Sequence, residues 1–140
     1  MRKILMGLLL AGVISCTGAK SADNSKAEQA AIEAAKSWLV LVDAGKYPES
    51  WEQAAQFFKG AITKEKWGQA VEAVRKTFGD NISRKLKSKR YYTSLPGAPD
   101  GKYVVIQFIS SFKNKKSAIE TITPMLDKDG KWRVSGYYIK

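Results

Sequence analysis

The hydrophobic period of this chain changes once, at Gly79, and that change confines it to folds in which helices come first and an antiparallel sheet second. Before Gly79 the apolar residues recur at three and four. Ala30, Ala31, Ala34, Ala35, Trp38, Leu39, Leu41 and Val42 predict a first helix from Ala27 to near Gly45. Pro48 suits a first turn, and Trp51, Ala54, Ala55 and Phe58 predict a short second helix before Gly60. Thr63 is the expected N-cap of a third, carrying Trp67, Ala70, Val71, Val74 and Phe78 and ended by Gly79. Four β-rich stretches follow, at 82–92, 102–112, 117–126 and 131–139. The connections at 113–116 and 127–130 are of hairpin length, so the economical topology is an antiparallel meander. The predicted class is α+β: three N-terminal helices on a four-stranded antiparallel sheet.

The N-terminus speaks to location. Arg2 and Lys3 begin a positively charged segment, residues 4–14 are an apolar run too short and too glycine-interrupted to span a bilayer, and Val13-Ile14-Ser15-Cys16 has the form of a lipobox. The expected organisation is a signal peptide at 1–15, a lipidated Cys16 with a flexible tether at 16–26, and one domain at 27–140. Cleavage after Ala19 or Ala22 is the competing reading and would discard Cys16. A lipid on Cys16 makes the membrane a partner, and Thr17 after the cysteine points to the outer membrane, facing the periplasm, in a Gram-negative cell.

Charge and composition exclude much chemistry. Removal of the leader leaves 22 of the 24 Lys and Arg beside all 13 Asp and Glu, so the domain is strongly basic. Cys16 is the only cysteine and histidine is absent, which rules out disulfides within the domain, thiolate nucleophiles and Ser-His-Asp or Cys-His catalysis. No cofactor or metal site is expected. Asp127-Lys128-Asp129-Gly130 lacks the later ligands of a calcium loop and reads as a turn.

Trp38, Asp43, Gly45, Tyr47, Ser50 and Trp51, then Leu95-Pro96-Gly97, Pro99-Asp100-Gly101-Lys102-Tyr103-Val104, Glu120-Thr121, Thr123-Pro124-Met125 and 132–138 (Trp-Arg-Val-Ser-Gly-Tyr-Tyr) together resemble domain-of-unknown-function family 4019. The resemblance implies a short exported bacterial protein. The order of helices and sheet is also similar to the ketosteroid isomerase and nuclear transport factor two-like superfamily, which implies a curved, cone-like sheet with a space between it and the helices. Enzymes, ligand carriers and dimerisation modules share that fold, so it does not select an activity.

Three functional readings follow. In the first, the domain is a noncatalytic ligand-binding or envelope-interaction module. Trp38, Tyr47, Trp51, Tyr92 and Trp132 are the aromatic residues expected at a ligand pocket, with packed core as the plainer account. Arg84, Lys85, Lys87, Lys89 and Arg90 put five cations in seven residues, suited to anionic envelope components or to guarding an edge strand. Export and the lack of a binding motif argue against nucleic acid. In the second, an isomerase or hydrolase-like enzyme uses a buried carboxylate, for which Asp43, Glu52 and Glu120 are the candidates with Tyr47 or Tyr92 as donors; in the plainer structural account a partner such as Arg133 satisfies Glu120. In the third, the strand at 102–112, apolar on both faces, is covered by a second copy in a homodimer or larger homo-oligomer.

Overall fold

The computed structural model describes residues 16–140, with side chains from Asn24 onward; the leader expected at 1–15 lies outside the described residues. Four helices, α1 (Cys16–Asp43), α2 (Tyr47–Glu52), α3 (Gln56–Ala61) and α4 (Lys64–Phe78), precede four strands, β1 (Asn81–Tyr92), β2 (Tyr103–Phe112), β3 (Lys115–Leu126) and β4 (Trp132–Ile139). The strands form one antiparallel meander in sequence order, so β1 and β4 are the edges. The α+β class and the predicted strand order are both observed.

Local chemistry accounts for the boundaries. Thr63 caps α4, its hydroxyl accepting from the Lys66 amide at 3.2 Å, and Gly79 ends the helix at φ 81°. Gly45, at φ 77°, closes α1: its amide donates to Val42 O and the next amide, of Lys46, to Leu41 O, the paired bonds of a Schellman end. Two boundaries differ from expectation. Helix α1 starts at Cys16, so it includes the stretch read as a tether, which holds no proline to stop it. The expected second helix is two, because the Ala55 backbone is extended and its amide donates to Val134 O of β4 at 2.8 Å. That bond ties the break to the sheet, and Ala54 and Ala55, fully buried, are small enough to allow the approach.

The core lies between the helices and one face of the sheet. Ala31, Ala35, Leu39 and Val42 of α1 and Trp67 and Val71 of α4 meet Val104, Ile106 and Phe108 of β2, Ile122 of β3 and Val134 of β4. Alternation sends Val105, Gln107 and Ile109 to the other face, which the helices do not cover. Strand β1 carries irregularities between Asn81 and Ser83 and between Leu86 and Ser88 that break its pairing rhythm with β2.

Candidate functional site

Where α1, α4 and the sheet converge, four charged side chains from four elements meet. Asp43 is the last residue of α1, at the negative end of that helix, where a carboxylate is unfavourable unless cations offset it. Two do. Arg75 of α4 donates from Nη1 to Asp43 Oδ1 at 2.9 Å, and Arg84 of β1 grips the same carboxylate with Nη1 and Nη2 at 2.9 and 3.0 Å. Both arginines also reach Glu120 of β3: Arg84 Nε at 2.6 Å and Nη2 at 3.2 Å, and Arg75 Nη2 at 3.2 Å. Ser110 Oγ donates to Glu120 at 2.5 Å, and the Tyr137 hydroxyl donates to it while accepting from Arg75. The Arg75 guanidinium lies over the Phe112 ring, 5.0 Å from its centroid.

The cluster runs from an exposed rim at Asp43 to a fully buried end at Glu120. Side-chain exposure is 0% for Glu120, 6% for Arg75, 15% for Arg84 and 28% for Asp43. Burial pushes both carboxyls up, but the arginines outweigh it and hold Asp43 and Glu120 below their ordinary values, with Ser110 and Tyr137 adding to the effect on Glu120. Burial, then the Glu120 charge, raises the Tyr137 phenol. A general base works best with a pKa near the operating pH; here both carboxylates are ionised and engaged by donors. The arrangement balances two cations with two anions and joins α1, α4 and all four strands.

This cluster corrects two expectations. Arg84, counted among surface cations, points to the helix side of β1 opposite Ser110 and is consumed by Asp43 and Glu120. Glu120 is satisfied, but not by Arg133: Glu120 stands opposite Ile139 and Arg133 opposite Met125, far apart along β3. Arg133 instead bonds Asp127 at 3.0 Å and Asp129 at 2.9 Å, and with the Lys131 amide it holds the Asp129 carboxyl down to about 2. Glu52, the third acid, is exposed and paired with Lys64 at 2.5 Å.

The five aromatic residues expected at a pocket do not line one common cavity; only Trp38 and Trp132 border the same cleft. Trp38, Phe58, Trp67 and Tyr137 pack on one another with centroids 5.0 to 6.3 Å apart, filling the space between helices and sheet. Trp38 Nε1 donates to Ser50 O at 2.7 Å and Trp67 Nε1 to Ser50 Oγ at 2.9 Å, so the fully buried Ser50 joins both indoles. Trp51 donates to Ile62 O and lies beneath Lys59 and Lys64. Tyr47 lines an open cleft of about 390 Å³ beside Asp43 and Arg75; Trp132 lines another of about 440 Å³ together with Trp38; Tyr92 sits under the Arg90 guanidinium. A larger open cleft, about 930 Å³, lies between Phe57 and the loops at 99–101 and 127–129, where Arg133 forms part of its wall.

Of the remaining predicted cations, Lys85, Lys87 and Arg90 are exposed, and Lys89 approaches Glu28 of α1 at 4.0 Å. Arg75 and Ser110 do not stand out in the sequence, and Ser50 does so only through the family resemblance, which gives it no role. An arginine on the otherwise apolar stripe Trp67, Val71, Phe78 was the one available signal for Arg75.

The family model described as Protein of unknown function (DUF4019) matches residues 34–137. No curated protein and no solved structure matches the chain.

Proposed function

The chain belongs to the DUF4019 family, and from that premise we propose that it is a noncatalytic, lipid-anchored domain of the bacterial cell envelope that makes its contacts through its surface. The observation that carries this reading is the state of the interior: aromatic rings pack within it, its buried acid, Glu120, is held ionised by Arg75 and Arg84, and the same arginines bind Asp43 at its solvent-exposed rim. A deprotonated, fully bonded carboxylate is a structural fixture. Helices on one face of a meander support a cone-like fold of the ketosteroid isomerase and nuclear transport factor two-like kind. Export and the anchor rest on Arg2, Lys3, the apolar run and Cys16. Anionic envelope components suit the basic surface, and in a Gram-negative cell the outer membrane is the location that Thr17 favours. The test is palmitate labelling with membrane fractionation of the wild type and Cys16→Ser. Label on the wild type alone, with the variant released to the soluble fraction, supports the anchor; an unlabelled wild type overturns it.

A second reading has its own observation. Tyr138 is 60% exposed and Ile109 42% exposed on the uncovered face of the sheet, a surface that a second copy could bury. Native mass spectrometry at micromolar concentration distinguishes a dimer from a monomer.

A further inference from the structure

The fold places the anchor and the densest group of free lysines at opposite ends of the domain. Helix α1 runs antiparallel to β1: Glu28 lies near Lys89, and Asp43 fifteen residues later is bonded to Arg84. The Asp43 end of α1 is therefore the end at which β1 starts, and there the β2–β3 turn sits, with Asn81 opposite Phe112. Cys16 is at the other end of α1, whose 28 residues span about 42 Å at 1.5 Å each.

The turn is rigidly presented. Its Lys113 amide donates to Asp80 O at 2.9 Å, its Asn114 amide to Phe78 O at 2.8 Å, and Asn114 Nδ2 to Thr77 O at 3.3 Å, fixing it to the end of α4. Lys113, Lys115 and Lys116 project from it, all exposed and, among the described residues, without an ion-pair partner; the Lys115 ammonium lies over the Phe78 ring, 6.0 Å from its centroid. Lys76 is exposed on the last turn of α4 close by, and Asp80 is the neighbouring acid. Surface charges are screened within about 8 Å at physiological ionic strength, so at the far end of a 42 Å helix these lysines do not sense the headgroups around Cys16.

We propose that this lysine turn is a docking tip for a phosphate-bearing polymer of the envelope, presented away from the bilayer that holds the anchor. Lysine suits such a partner because its ammonium is a compact point charge with three rotatable donors, which binds the successive phosphates of a flexible polymer without the fixed bidentate geometry of an arginine guanidinium. The orientation rests on the anchored reading of Cys16; the binding at the turn does not.

The probe is inorganic polyphosphate, titrated into the otherwise full-length Cys16→Ser protein at 50 and 200 mM salt. The expected result is salt-sensitive binding that Lys113→Ser/Lys115→Ser/Lys116→Ser weakens at least about tenfold while Lys85→Ser/Lys87→Ser changes it less than about twofold. Because all five side chains are exposed, the melting temperature should stay within a few degrees and so separates loss of binding from loss of fold. Equal binding by the triple variant overturns the proposal, as does binding to phosphatidylglycerol vesicles that depends on Lys85, Lys87 and Arg90 in place of the turn. The orientation is read separately, with lipidated wild type in phosphatidylcholine vesicles. Capture of polyphosphate there supports it, whereas capture by Cys16→Ser alone shows that the tip faces its own bilayer.

Discussion

Glu120→Gln is the substitution that most exposes how the interior is held. Glu120 is fully buried and accepts five hydrogen bonds: two from Arg84 and one each from Arg75, Ser110 and Tyr137. Glutamine keeps the shape but removes the charge that balances the guanidiniums and turns an acceptor into an amide donor facing donors. Breaking a buried ion pair by neutralising one partner costs about 3–5 kcal/mol. For a domain of this size that lowers the melting temperature by roughly 10–20 °C. The sign with pH is also fixed. Because the folded carboxyl lies below its ordinary value of 4.5, its contribution is complete above about pH 4.5 and is lost as pH falls through the folded value. The variant should therefore lose stability at pH 7 and show a shallower acid limb. Urea unfolding of Cys16→Ser and Cys16→Ser/Glu120→Gln, followed by tryptophan fluorescence from pH 7 to pH 2, measures both. A loss under about 1 kcal/mol at pH 7, or an unchanged acid limb, would refute the reasoning.

Three further outcomes are expected. Ser50→Ala leaves the Trp67 indole N–H without its buried acceptor and should cost about 1–3 kcal/mol in urea unfolding, with a changed tryptophan emission, while the Trp38 bond to the backbone survives. Gly45→Ala meets nothing within 4 Å, so its cost is the backbone's alone, about 1–2 kcal/mol for a non-glycine residue at φ 77°, measurable as a fall in the urea midpoint. Tyr137 titrates above its ordinary 10.0 in the folded chain, so its contribution is complete below about pH 10 and lost as pH rises through the folded value; Tyr137→Phe should flatten the alkaline limb of the stability curve relative to wild type.

What the sequence disclosed and what it concealed divide along the range of the forces involved. Strand order, the N-cap at Thr63 and the stops at Gly45 and Gly79 are decided within a few residues, by side-chain alternation, a capping hydroxyl and backbone freedom, and they were legible. The break between α2 and α3 was not, because it is made by one bond from Ala55 to Val134, across 79 positions of chain. Arg84 reads as a surface cation in a run of lysines; only the register opposite Ser110 turns it inward to Asp43 and Glu120. The partners of Glu120 come from four other elements, α4, β1, β2 and β4, and Arg133, the partner expected from sequence, is drawn to Asp127 and Asp129 at the far turn. The aromatic residues were visible, but whether they line a space or fill it depends on their ring distances.

The central claim is an anchored domain with a filled interior that works through its surface, and native mass spectrometry of the protein extracted gently from its own envelope tests it most directly. The account predicts a chain beginning at Cys16, heavier by its lipid, with no small molecule retained in the interior. A chain cleaved after Ala19 or Ala22 and lacking lipid, or one carrying a discrete small-molecule mass, would contradict it.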